Sequence, residues 1–149
     1  MSVAGERFFL DTNIAVYCFD SSAPRKQETA KELITHAASS SMGVVSFQVL
    51  QEFCNVASNS RRLNLAQERI MAYVSLVLQP MNQVTTSPAL LARALAVRQA
   101  HSFSFYDCLI ISAALQAQCT TLYSEDMQHG QLVGSLKIIN PFLMTVNER

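Results

Sequence analysis

Short apolar runs that stop abruptly, separated by stretches of helical spacing, constrain this chain more than any other feature. Arg7–Leu10 (RFFL) ends at once in Asp11-Thr12-Asn13, which reads as a buried strand followed by helix-cap chemistry. A short helix over 14–19 and a polar break over 20–24 follow. Pro24 suits the first turn of the next helix, which carries Ala30, Leu33, Ile34 and Ala37 on one face and ends across 39–43. Gly43–Ser46 (GVVS) is a short β-branched strand, and 47–58 returns to helical spacing. The spacing predicts an amphipathic helix over 65–79, a weaker third strand over 80–86, and a helix from Pro88 to about His101. Residues 105–118 are nearly all apolar, a helix that should be buried. A strand over 120–123, a turn over 124–130 and a closing strand over 136–140 complete the pattern. Strands alternating with helices predict an α/β fold: a mainly parallel central sheet of about four or five strands, helices on both faces, three layers in all. Ligands of such sheets gather at the carboxyl ends of the strands, so acidic residues there matter most.

Composition sets limits on what the fold does. Residues 1–149 are one domain's worth, and with 50% hydrophobic and 15% charged residues they suit a packed core, not a disordered segment. No apolar run reaches the roughly 20 residues needed to cross a bilayer, and the start, MSVAGERFFLDTN, lacks the pattern of a signal peptide. The four cysteines (Cys18, Cys54, Cys108, Cys119) form no CxxC pair and have no histidine at zinc-ligand spacing, so free buried thiols in a reducing cytoplasm are expected. The formal net charge is zero and the pI near 6.8, so a nucleic-acid ligand would have to be held by local basic clusters and metal.

Four of the eleven acidic residues fall where a solvated surface charge rarely sits. Asp11 stands at the carboxyl end of the first strand; it suits an N-cap equally well, although Thr12 or Asn13 could cap instead. Glu52 lies about one and a half turns into the helix after the second strand, on a polar face with Gln48, Gln51 and Asn55. Taken singly it fits a solvated face better than a ligand. Asp107 sits above Ile110, Ile111 and Ala114 in a segment too apolar to be exposed. Ser104-Phe105-Tyr106-Asp107 also spells a capping box, and capping leaves a carboxylate with lone pairs to spare. Asp126 follows the fourth strand and could cap a short helix ending at Gly130; Glu125 beside it reads as solvent-facing or a secondary contact. The topology brings the ends of the first, second and fourth strands and the start of the 105–118 helix to one rim. Carboxylates converging there repel unless a cation joins them, and an oxygen-only set suits Mg²⁺ or Mn²⁺ better than zinc. His36 and His101 lie at helix ends, and His129, though near Asp126, need not be a ligand.

At these residues the chain resembles the PIN-domain ribonucleases, specifically the VapC-like toxins of bacterial type II toxin–antitoxin systems. The matching pieces are FFLDTNIAVY, VSFQVLQEFCNVA, FSFYDCLIISAALQAQCTTLYSEDMQHGQ and a closing IINPF, in order along the whole chain. The resemblance implies a PIN-like fold and makes Asp11, Glu52, Asp107 and Asp126 a catalytic and metal-binding quartet. It gives Asn13 and Ser124 the role of polar residues that hold the site and its substrate. It further implies a Mg²⁺ or Mn²⁺ cofactor, a homodimer, and inhibition by a small antitoxin whose C-terminal arm enters the active-site groove.

The reaction expected is hydrolysis of an RNA phosphodiester by a metal-activated water, with Asp11 and Asp107 as direct ligands and no convincing serine, cysteine or histidine nucleophile. Arg61 and Arg62, after the Glu52 helix, are the first candidates for gripping the substrate, and Arg25 and Lys26 the second. Phe103, Phe105 and Tyr106 could stack on bases, though core packing suits the two phenylalanines better. Two alternatives stay open. One is a PIN-like module that binds RNA or protein without cutting. The other is a phosphotransfer domain or phosphatase with Asp11 as phospho-acceptor. The latter expects DxD where this chain has Asn13, and a receiver expects acidic residues before Asp11 and a lysine after a late strand. The residues before Asp11 are apolar, and the only late lysine, Lys137, starts the closing strand.

Overall fold

Parallel pairing on both sides explains why the first apolar run shows no alternation. In the computed structural model, which describes residues 6–143, the elements run β1 (Arg7–Leu10), α1 (Thr12–Tyr17), α2 (Pro24–Ser40), β2 (Gly43–Ser46), α3 (Phe47–Asn59), α4 (Gln67–Tyr73), β3 (Asn82–Val84), α5 (Pro88–Ala100), α6 (Phe105–Gln116), β4 (Cys119–Tyr123), β5 (Leu132–Val133) and β6 (Leu136–Ile139). The sheet order is β3-β2-β1-β4-β6-β5, and every pairing is parallel except β5 with β6. Covered on both faces, β1 and β2 are buried almost throughout. Residues 1–5 of the start weighed above for a signal peptide lie outside the described residues.

The fold is the expected α/β sandwich, with two differences in detail. The sheet has six strands; β5 is two residues long, too short to leave a hydrophobic pattern, and turns into β6 through Gly134 at φ 58°. The single helix expected over 65–79 is α helix only to Tyr73, then widens into a π turn (Val74–Leu78) and tightens to a 3₁₀ turn (Gln79–Met81). Pro80 has no N–H to offer and its ring crowds the carbonyl four residues back, so the regular ladder cannot continue through it.

Right-handed crossovers place the helices. The chain moves from β1 to β2 to β3 in one direction and then returns across the sheet to β4, so α1–α4 and the α5–α6 pair cover opposite faces. α6 packs on the sheet with Cys108–Ala114 wholly buried, as its apolar sequence requires. On the other face α2 lies so close to β2 that a Cβ on Gly43 would stand 2.2 Å from the Cβ of Ala37. Neighbouring β1 and β4 mark the place where the strand order changes direction, and both carboxyl ends open onto the same rim. No helix among the described residues is long and apolar enough to cross a membrane.

Candidate active site

Asp11 caps α1 and still faces the rim. Its backbone is extended, and one carboxylate oxygen accepts the N–H of Thr12 at 2.7 Å. The other accepts the hydroxyl of Ser124 at 2.7 Å, from the residue after β4. Capping therefore occupies Asp11 itself and releases Thr12 and Asn13 for other partners. Thr12 Oγ1 donates to Glu52 Oε1 at 2.7 Å, and Asn13 Nδ2 donates to Asp126 Oδ2 at 3.0 Å. Ser124 works in both directions, since its oxygen also accepts the N–H of Asp126 at 3.2 Å. Three chain segments, 11–13, the Glu52 helix and the 124–126 turn, are thus stitched together through Asp11-Thr12-Asn13.

The four predicted carboxylates line one cleft of about 330 Å³, together with Asn13, Gln48, Arg62 and Glu125. Asp11 is buried, Glu52 and Asp107 are half-buried, and Asp126 is exposed. At α6 the cap expected from sequence forms, with Asp107 N–H donating to Ser104 Oγ at 3.1 Å. No helix follows Asp126, so the short helix it could have capped is absent and a turn runs there instead.

Electrostatics records how close these acids are. Burial pushes Asp11 up to about 7; the Ser124 hydroxyl and Thr12 amide oppose the shift, while the Glu52 and Asp126 charges add to it. Burial also raises Asp107, against the Ser104 hydroxyl and with help from Asp126 and Glu52. Five carboxylates and a single guanidinium, that of Arg62, line the cleft.

The donor chemistry fits a hard divalent cation. The lining offers carboxylate, amide and hydroxyl oxygens and neither histidine nor cysteine. Among the described residues no three carboxylate, imidazole or thiol groups stand close enough to enclose an ion as they are, so the side chains would have to close on it. His129 is occupied elsewhere, its Nδ1 accepting the N–H of Asn140 at 2.9 Å, and His36 stacks on Phe8.

Several residues behave otherwise than the sequence suggested. Arg62 reaches the cleft and pairs with the buried Asp20 at 3.4 Å, whereas Arg61 is exposed and does not line the cleft. Lys26, a secondary candidate for phosphate, instead pairs with Glu125 and lies over the rings of Tyr17 and Phe142. Of the two roles expected for Glu125 it takes the secondary contact: it is half-buried in the cleft lining, and its other oxygen accepts the Tyr17 hydroxyl at 2.6 Å. Gln48, on the supposedly solvated face of α3, is buried and donates to the Tyr106 carbonyl at 3.3 Å. Phe103 and Phe105 pack against the core as expected, and Tyr106 is 65% exposed. Tyr17 had a readable signal, because it follows Asn13 by one helical turn and so shares its face toward the 124–126 turn. Nothing local marks Asp20; its role depends on Arg62, far along the chain.

The family model of the PIN domain matches residues 8–132, which take in every residue of the cleft. The chain belongs to the PIN domain family. Solved structures share this PIN fold at low identity. A toxin–antitoxin complex from Klebsiella pneumoniae aligns with TM-score 0.63 and 17% identity, over 89% of this chain and 96% of that one. VapBC2 from Rickettsia felis, bound to a DNA fragment from its promoter, aligns with TM-score 0.57 and 17% identity, over 88% and 96% respectively. No significant match appears among curated proteins.

Proposed function

We propose that this PIN domain is a Mg²⁺- or Mn²⁺-dependent endoribonuclease and the toxin of a toxin–antitoxin pair. The carrying observation is the cleft itself: Asp11, Glu52, Asp107 and Asp126 arrive from four separate segments, and burial together with the neighbouring Glu52 and Asp126 charges makes Asp11 and Asp107 hold their protons more tightly. Burying Asp11 among other acids is costly for folding, and a bound cation would offset that cost.

Asp11 and Asp107 would hold the ion directly, with Glu52 and Asp126 as further ligands or as groups that orient the attacking water. When bound, the ion supplies positive charge for a phosphate among carboxylates and acidifies that water. The chain's own residues do the rest. Ser124 and the Thr12 amide fix Asp11, Thr12 fixes Glu52, and Asn13 fixes Asp126. Arg62 offers the one guanidinium in the cleft to a phosphate oxygen, steadied from behind by Asp20. No nucleophilic serine or cysteine lines the cleft, which favours direct attack by water over a covalent intermediate.

A small antitoxin as partner is supported by the two structural neighbours, both described as toxin–antitoxin assemblies. An apolar groove of about 610 Å³, bounded by Phe19, Ile34, Leu63, Leu65, Tyr73 and Leu76, offers it a docking surface. A homodimer in the cytoplasm belongs to the same proposal, with Leu91 and Leu95 exposed one turn apart on α5 as an apolar surface for it.

The test is cleavage of a mixed RNA pool with Mg²⁺ or Mn²⁺, with and without EDTA, beside Asp107→Asn, which removes charge but retains the cap. Cutting lost with EDTA and with the variant is the expected result. Equal cutting by both proteins, indifferent to EDTA, would mean a contaminant. A folded, antitoxin-free protein that cuts nothing would point to a binding module.

A further inference from the structure

Asp107 and Asp126 also line a second cleft, of about 500 Å³, on their other side. Its walls are the 101–104 segment between α5 and α6 and the 127–131 segment after Asp126, with His101, Phe103, Gln128 and Gln131 as the larger side chains. It contains no lysine or arginine, so nothing in it selects a phosphate.

Two of its polar side chains are free to meet a ligand. Neither Gln128 nor Gln131 makes a side-chain hydrogen bond to another described residue. Gln131 is nevertheless fixed in place, because its carbonyl accepts the N–H of Ile138 at 2.9 Å. A carboxamide presents a donor and an acceptor side by side, the pattern carried by the edge of a nucleobase. Phe103 is half-buried, held against the core with its ring 5.8 Å from that of His101, and supplies a flat apolar surface. An aromatic face combined with unpaired edge-reading groups is how single-stranded RNA is bound.

We infer that this second cleft holds one unpaired base of the RNA strand, next to the phosphate that is cut. The inference rests on the nuclease function proposed for the adjoining cleft: a strand whose phosphate lies among the four acids must pass Asp107 and Asp126, and the polar cleft beyond them, without a cation for phosphate, is where its neighbouring base arrives. Phe103 stacks on that base while Gln128 and Gln131 read its edge.

The experiment compares wild type with a Gln128→Ala/Gln131→Ala double variant, and with Phe103→Leu, by sequencing the ends cut from a random RNA pool. Wild type should favour one base at a fixed position beside the cut by roughly 10-fold, the size a single stacking and edge-reading site supplies. The double variant should flatten that preference and raise KM, while Phe103→Leu weakens binding of all bases at that position. In parallel, oligo(A), oligo(C), oligo(G) and oligo(U) are titrated into ¹⁵N-labelled protein, and the side-chain amide signals of Gln128 and Gln131 should move with at least one. Cutting with no base preference, or with one the double variant leaves intact, overturns the base site and leaves the nuclease standing. If wild type does not cut, the amide signals decide. Their indifference to all four oligonucleotides overturns the base site and passes the cleft to a peptide.

Discussion

Thr12 donates its hydroxyl to Glu52 across 2.7 Å and so joins the carboxyl end of β1 to a helix residue 40 positions later. Glu52 is half-buried and its side chain is flexible, so this bond sets where its carboxylate points. Thr12→Val should therefore lower both Mn²⁺ affinity and cleavage by roughly 10- to 100-fold, as removal of an outer hydrogen bond to a metal-site ligand does. Thr12→Ser, which keeps the hydroxyl, should restore both. Mn²⁺ binding measured by calorimetry separates the two roles: a serine variant as defective as the valine one would mean that the methyl, not the hydroxyl, matters.

Asp11 should work against the stability of the metal-free protein. Its folded carboxyl is raised from 3.8 to about 7, so the folded state binds the proton more tightly than the unfolded one. The sign follows: the penalty is absent below pH 3.8, grows as pH rises toward 7, and above that is on the order of 4 kcal/mol. Asp11→Asn should abolish cleavage yet raise the melting temperature of EDTA-treated protein at pH 8, with Ser124 turning to accept from the new amide. At pH 4 the gain should nearly vanish. Mg²⁺ should stabilise wild type and leave the variant unmoved. A variant that melts lower at pH 8 would refute the penalty.

Gly43 gives a prediction confined to stability. With a Cβ it would come within 2.2 Å of the Ala37 Cβ, so α2 must shift off β2. Gly43→Ala should cost about 1–3 kcal/mol, as overpacking does. Combining it with Ala37→Gly should recover part of that loss, giving a coupling visible in a denaturation cycle. Additive losses would show that the strand had moved elsewhere to make room.

The strand and helix order was legible because parallel strands and an apolar α6 leave long unbroken signals, and the structure departs from it only at local detail. β5 is too short to carry a pattern, and the π turn after Tyr73 depends on how Pro80 is accommodated. The four acids were visible because each sits directly after a strand or early in a helix that begins at the rim. Their partners were less so. Thr12, Asn13 and Ser124 contact residues whose distance in sequence is fixed only by the sheet order. Glu125 and Lys26 looked like ordinary surface charges because their pairing spans 99 residues. Arg61 and Arg62 could not be told apart by sequence; adjacent residues after a helix point differently, and only Arg62 turns into the cleft.

That divergence between neighbours makes Arg62 the sharper probe of substrate binding. Its guanidinium is largely exposed and pairs with Asp20, whose carboxyl is lowered first by the Ser22 hydroxyl and further by Arg62 and Lys26. Asp20 is buried, with Ser22 donating twice to one of its oxygens and Arg62 standing against the other, so it orients the arginine. Arg62→Gln should accordingly raise KM for RNA with little change in kcat, and reduce the salt dependence of binding by about one phosphate contact. Arg61→Gln, outside the cleft, should do much less. Asp20→Asn should fall between them, since it keeps the guanidinium but loosens its aim. Steady-state kinetics across a salt series ranks the three variants, and Arg61→Gln exceeding Arg62→Gln would place the RNA strand outside the cleft rather than along it.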